Sequence, residues 1–164
     1  MVKNRTCCFT GHRNIAMCDV PYVLQRTTEY VHMLIDRGII YLGVDGALGF
    51  DLLAAEMLFK IRDAEYPRMK VILVYPFDGY TNRWNDKQKE KHRIRLPLHD
   101  KVVCVSERCN KDAYLERNRY LVDHSGYCVC YCNRSWGGTA YTVRYAKQRN
   151  LEVYNIGSLD LKTL

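Results

Sequence analysis

A chain of 164 residues has the length of one domain and can bury a proper core. Its 48% apolar and 26% charged residues are those of an ordinary globule, and no apolar run approaches the roughly 20 residues that span a bilayer. The formal charge of +7 draws anions, either nucleic acid or an acidic small molecule. The opening stretch MVKNRTCCFTGHR has no long apolar core, which speaks against a signal peptide, so a cytoplasmic location without a membrane partner is expected.

Thr6 to Thr10 reads as the first strand. Asp19 is placed to cap a helix with Pro21 in its first turn. Val20, Val23, Leu24, Val31, Leu34 and Ile35 form that helix's apolar face, and Gly38 stops it. Ile39 to Leu42 reads as the second strand. Gly49 introduces a helix with Phe50, Leu53, Ala54, Met57, Leu58 and Ile61 inward, ended before Pro67. Met69 to Tyr75 is the third strand, terminated by Pro76. A basic stretch, NRWNDKQKEKHRIR at residues 82–95, is predicted helical to about Leu96. Its six Lys or Arg against Asp86 and Glu90 give +4, either a solvated helix face or a nucleic-acid face.

Lys101 to Val105 is the fourth strand. The stretch at residues 114–146 then reads as helix, buried strand, glycine turn and helix. Leu115, Asn118, Leu121 and Val122 share one helical face, with Arg117 flanking it, and Gly126 ends the helix. Tyr127 to Tyr131 is apolar and bounded by turn signals, as a central parallel strand should be. Cys128, Cys130 and Cys132 alternate and so share one face of it. With Cys7 and Cys8 also in a strand, the eight cysteines read as free thiols packing as small hydrophobes. No CxxC pair exists, and neither a metal nor a cofactor is expected. Gly137, Gly138 and Thr139 open the next helix, which runs to Gln148, and Leu151 to Asn155 is the last strand. Glycines there let the backbone approach a ligand, and the unpartnered first amides of the helix make an anion site, most often for phosphate.

Strands separated by helices imply a parallel sheet covered on both faces. In such a sheet, ligands bind outside the carboxyl ends of the strands, where strand order reverses. Five loops gather there: Thr10-Gly11-His12-Arg13, Gly43 to Gly49 leading to Asp51, Tyr75-Pro76-Phe77 with Trp84 beyond, Ser106-Glu107-Arg108, and Asn133 to Thr139. Asp51 in a first helical turn answers the helix dipole or accepts a ribose hydroxyl. Phe77 and Trp84 are core aromatics or the two sides of a base sandwich. Tyrosine, at 13 residues, suits ring stacking and homo-oligomer interfaces alike.

Three segments in order, CCFTGHR at 7–13, GALGFDLLAAE at 46–56, and ERNRYLVDHSG followed by a buried strand and GGT, resemble the YpsA-like branch of the SLOG superfamily. That group includes the Lonely guy proteins and the DNA-processing protein DprA, and the resemblance implies a protein of bacterial or phage type. The resemblance implies one Rossmann-like α/β domain over residues 1–164, a three-layer sandwich with a mostly parallel sheet. It implies that Gly11, His12, Arg13, Gly46, Gly49, Asp51, Arg117, Asn118, Gly137, Gly138 and Thr139 line a site for a nucleotide or nucleotide-derived ligand. Lonely guy hydrolases carry an arginine in a motif like Glu116-Arg117-Asn118 and an acid after their Gly-Thr. Here Gly138-Thr139 is followed by Ala140, Tyr141 and Thr142, so the acid is missing, with Asp51 or Asp123 as substitutes. DprA binds single-stranded DNA, and its RNR helix resembles Arg117-Asn118-Arg119. A sensor or regulator is therefore favoured over a nucleoside monophosphate hydrolase or a single-strand binder, and no catalytic residue is assigned.

Overall fold

The structure, a computed structural model, describes residues 2–107, 109–110 and 112–164. Six strands are formed: β1 (Thr6–Gly11), β2 (Tyr41–Val44), β3 (Lys70–Tyr75), β4 (Lys101–Cys104), β5 (Tyr127–Tyr131) and β6 (Glu152–Asn155). Between them run α1 (Val20–Asp36), α2 (Phe50–Ala64), α3 (Asp86–Arg95), α4 (Ala113–Asp123) and α5 (Gly138–Gln148). Every strand pair is parallel, in the order β4-β3-β2-β1-β5-β6. This is the Rossmann-like α/β sandwich expected from the alternation of elements. The chain steps outward from β1 to β4, crosses back through α4, and resumes with β5 beside β1. The reversal therefore lies between β1 and β5, the point outside whose carboxyl ends open α/β sheets bind their ligands.

The period of two along each strand sends alternate residues to two cores. Phe9, Leu42, Val44, Val71, Leu73 and Val129 pack under α1 and α2. Cys8, Ile72, Val74, Cys128, Cys130 and Cys132 pack under α4 and α5. The alternating cysteines thus share a face as their spacing predicts, and all eight thiols are free, with Cys18, Cys104 and Cys109 exposed. Burial pushes Cys7 and Cys130 upward, while the Cys8 thiol and burial do so for Cys128, so these sulfurs stay protonated and inert.

Several boundaries differ from the sequence reading. β2 starts two residues later than expected. Ile39 is buried, but its amide still closes the end of α1 on the Leu34 carbonyl. Gly43 belongs to the strand rather than the loop, because Leu121 of α4 lies where its side chain would be, 2.9 Å from a built Cβ. Asp19 occupies the cap position of α1 in a helical conformation, and its side chain makes no capping bond. α4 is rotated from the predicted stripe: Ala113, Arg117, Leu121 and Val122 are buried, while Leu115 and Asn118 are half-buried. α3 forms where the basic stretch predicts it, begun by an Asn85–Gln88 capping box, and no residue of it is buried.

Two glycines set the height of the β1 and β2 loops. A Cβ on Gly11 would sit 2.5 Å from the Phe50 ring. Gly49 has φ +94°, and a Cβ there would meet the Arg13 carbonyl oxygen at 2.2 Å. Gly49→Ala is therefore expected to lose about 2 kcal/mol or more from strain and overlap together. Urea unfolding measures this, and an unchanged midpoint would contradict the close contact.

Candidate functional site

At the reversal between β1 and β5, the chain leaving β5 runs through Asn133, Arg134, Ser135 and Trp136 into Gly137, the cap of α5. Gly137 takes φ +89°, which glycine adopts without strain. Nothing lies within 4 Å of a Cβ built on Gly138, so the first turn of α5 faces open space. Arg144 donates to the Ser135 carbonyl at 2.8 Å and anchors the loop from the helix. The Arg134 guanidinium lies 4.0 Å from the centre of the Trp136 ring, and Trp136 is 64% exposed. The loop sequence carries no acid.

A buried relay joins this loop to the one after β2. Arg117 is 6% exposed and points inward from α4. Its Nη2 pairs with Asp45 Oδ2 at 3.1 Å, its Nη1 donates to the Asp45 carbonyl at 2.5 Å, and its Nε donates to Asn118 Oδ1 at 2.8 Å. Asp45 Oδ1 accepts the Ala47 amide at 2.7 Å. Asn118 in turn donates through Nδ2 to Thr142 Oγ1 at 2.9 Å, and the Thr142 hydroxyl donates to the Gly138 carbonyl at 2.9 Å. Four side chains thus connect the carboxyl end of β2 to the glycine turn of α5.

His12 ties the remaining loop. Its amide donates to the Tyr131 carbonyl at 3.1 Å, its carbonyl accepts the Phe50 amide at 3.2 Å, and its Nε2 accepts the Asn133 amide at 2.9 Å. Burial and then the Arg134 charge pull its pKa down, which keeps the ring neutral and Nε2 free to accept. The imidazole is therefore a clamp across the reversal. Arg13, next in the chain, is exposed. Gly46, at φ +67°, brings its backbone against Leu73 and the Tyr80 hydroxyl. Thr139 is half-buried in the first turn of α5.

Asp51 is 1% exposed, and neither carboxyl oxygen has a hydrogen-bond partner among the described residues. The Gly11 amide and the Asp45 carboxyl are close enough to act on its titration, yet neither completes a bond of good geometry. Burial, then the Asp45 charge, push its pKa well above the carboxylate range, against the opposing pull of Arg117. Asp51 lines a cavity of about 180 Å³ between α2 and α3, together with Trp84 and Leu73.

The sequence candidates therefore divide. Gly11, His12, Arg13, Gly137, Gly138 and Thr139 gather at the reversal. Gly46, Gly49, Arg117 and Asn118 build the loops behind it, and Asp51 faces the cavity beside it. Arg108 lies outside the described residues. Phe77 packs edge-on against Tyr114 and Trp84 against Tyr80 and His92, so the proposed sandwich has different partners on each side. Asp123 accepts from Tyr145 and pairs with Arg149 where α4 and α5 end, at the opposite end of the helices from the glycine turn. On α3, Arg93 pairs with Glu90 and Arg95 with Glu56 of α2, so Arg95 does not join Lys87 and Lys91 on a free face. Sequence reading passed over Asp45, Arg134, Trp136 and Thr142. Asp45 stands six residues before Asp51 in VDGALGFD, where a strand-end acid and a helix-start acid are brought together by the turn.

The YpsA model of the YspA SLOG family matches residues 7–164. A UPF0398 protein of Staphylococcus haemolyticus is 33% identical over 130 residues, covering 74% of this chain and 69% of that protein. One of Shouchella clausii is 27% identical over 131 residues, covering 78% and 70%. Among solved structures, DNA processing protein A of Helicobacter pylori, studied for its single-stranded DNA binding mode, matches with a TM-score of 0.63 at 17% identity. That match covers 93% of this chain but 65% of the neighbour, and at such identity it shows the fold alone. Among the described residues, no helix is long and apolar enough to cross a membrane.

An acid whose pKa is raised by folding stabilises the fold below its unfolded value of about 3.9, and that contribution is lost as pH rises through the folded value. Asp51→Asn removes the proton without changing the shape. The stability gap between this variant and the parent should widen in the variant's favour from pH 4 to pH 8, with the His12 contribution common to both. Melting curves across that range check the sign, and parallel curves would refute a protonated Asp51. Arg117→Ala, which leaves Asp45 buried and unpaired, should cost about 3–5 kcal/mol at neutral pH.

Proposed function

We propose, from the premise that the chain belongs to the YspA SLOG family, that it binds a nucleotide or nucleotide-derived ligand at the carboxyl ends of its strands, as a sensor or regulator. The observation that carries this reading is the open first turn of α5 at the strand reversal, flanked by Arg134 and the exposed Trp136. Gly137, Gly138 and Thr139 present amides to a phosphate. Arg13 and Arg134 add charge-assisted bonds, and the Trp136 ring offers a face on which a base stacks. Gly11, His12, Gly46 and Gly49 shape the floor, and Arg117, Asn118 and Thr142 hold the two loops in register.

Binding is favoured over hydrolysis of a glycosidic bond. That reaction needs a carboxylate to activate water beside the sugar. Asp45 is committed to Arg117 and the Ala47 amide. Asp51 is 1% exposed with both carboxyl oxygens closed to solvent, so it cannot reach an attacking water. Asp123 is engaged where α4 and α5 end.

Single-stranded DNA is the second reading. It is supported by the Trp136–Arg134 platform, since base stacking on an aromatic beside a basic groove is how such strands are held, and by the ligand of the Helicobacter pylori neighbour.

A nucleoside phosphate should raise the melting temperature more than its nucleoside does, by mass action on the native state. Arg134→Ala with Trp136→Ala should remove most of the difference; equal shifts from both compounds would refute the phosphate cradle. Salt separates the two ligands. A strand contacting several phosphates shows a slope of about −0.7 per phosphate in log affinity against log salt. A mononucleotide should show a shallow slope that ignores charge reversal at Lys87 and Lys91. A steep slope that collapses in that double variant would favour DNA.

A further inference from the structure

We propose, resting on the phosphate reading of the glycine turn, that the cleft between the start of α1 and the chain after β6 is a sugar subsite, so that the ligand is a nucleoside diphosphate with a sugar on its terminal phosphate. Asp19 and Tyr22 at the start of α1, Tyr131 and Asn133 at the end of β5, and Ile156 and Ser158 after β6 line a space of about 250 Å³. That exceeds the ~150 Å³ of a protein cavity that holds benzene, so one sugar ring has room.

The polar groups of the cleft are held in place and left unspent. The Asn133 amide donates to His12 Nε2, and its side-chain Oδ1 accepts the Ser158 amide at 2.7 Å. Gly157 leaves no slack, because a Cβ there would meet the same Oδ1 at 2.5 Å. Asn133 Nδ2 remains a donor with no acceptor among the described residues. Asp19 stands at the cap position of α1 without a capping bond, and the Cys18 thiol, at 3.7 Å, is the one donor its carboxylate meets among the described residues. No cationic side chain lines the cleft, so it is not a second anion site. A carboxylate that accepts, an amide that donates and the exposed Tyr22 ring suit a sugar. Two adjacent hydroxyls donate to the Asp19 oxygens, as a ribose does to the acid of dinucleotide folds, and a sugar oxygen accepts from Asn133 Nδ2. The C–H face of the ring lies on Tyr22. With both oxygens on hydroxyls, Asp19 serves recognition and not the activation of water.

Placement sets the length of the ligand. Tyr131 and Ile156 belong to the core under α1 and α2, whereas α5 packs on the other face of the sheet. The cleft and the glycine turn thus flank the end of β5 from opposite faces, joined by the loop from Asn133 to Gly137. A mononucleotide with its phosphate on the turn and its base on Trp136 has no group left to cross. A sugar joined through a second phosphate does.

Isothermal titration of the full chain compares UDP-glucose with UDP, and ADP-ribose with ADP, which present a hexose and a pentose. In at least one pair the sugar-bearing compound should bind about tenfold more tightly, the gain from hydrogen bonds to a charged group. In Asp19→Asn and in Tyr22→Ala that ratio should fall toward one, since the amide loses the charge-assisted bonds and alanine the ring face. Both positions are exposed, so neither change touches the core. Equal affinities within both pairs, or a ratio that survives either substitution, would overturn the subsite and leave the nucleotide reading standing. Binding by none of these compounds would overturn both.

Discussion

The buried pair of Arg117 and Asp45 is the constraint on which the loops at the carboxyl end of the sheet depend. Taking both charges out of water is expensive, and the attraction between them repays it only if their other polar atoms are satisfied. Here they are: the guanidinium spends its remaining nitrogens on the Asp45 carbonyl and Asn118, and the carboxylate takes the Ala47 amide. Each of those bonds fixes a different piece of backbone. The loop after β2 can take one shape, α4 can take one rotation, and through Asn118 and Thr142 the glycine turn takes one height above the sheet. The ion pair is weak evidence for stability and strong evidence for geometry.

Electrostatics then divide the end of the sheet into two environments. Around the glycine turn the fixed charges are Arg13, Arg134 and Arg144, and the loop itself holds no acid. A few residues away, Asp45 and Asp51 share a buried corner in which one guanidinium serves one carboxylate. A first-turn acid ordinarily gains from the helix dipole and stays ionised. At Asp51 burial and a like charge outweigh that gain, so the sign of the effect is reversed. One region therefore concentrates positive charge, and its neighbour disfavours a second negative one.

The fold was legible because its signals are periodic and local. Alternating cysteines at 128, 130 and 132 marked a buried strand, the apolar stripe of residues 20–35 marked α1, and the turn at Gly137-Gly138 marked the start of α5. What periodicity could not place was any residue whose position is set by a distant partner. Arg117 read as a ligand-site residue; the structure commits its guanidinium to Asp45, 72 residues earlier. Gly43 read as a loop because the side chain filling its space comes from α4. His12 read as a ligand contact; the structure brings the Asn133 amide, 121 residues away, to its Nε2. Basic residues on α3 read as one face, and an acid on α2 took Arg95 out of it. The reversal between β1 and β5 follows from strand order, which the sequence reading left open.

The distribution of the thiols turns the chain into its own clock for opening. Cys18, Cys104 and Cys109 are exposed, so an aqueous alkylating reagent meets them at once. Cys7, Cys8, Cys128, Cys130 and Cys132 sit in or directly after β1 and β5, two neighbouring interior strands, and are buried. Fraying of an edge such as β4 exposes none of them, because β4 pairs with β3 alone. Alkylation of Cys8, Cys128, Cys130 and Cys132 requires α4 and α5 to lift from the face they cover, which is the same event that carries away the glycine turn at the start of α5. The slow phase of cysteine labelling, resolved by mass, thus counts openings of the helix layer over the sheet, while the fast phase counts only surface chemistry.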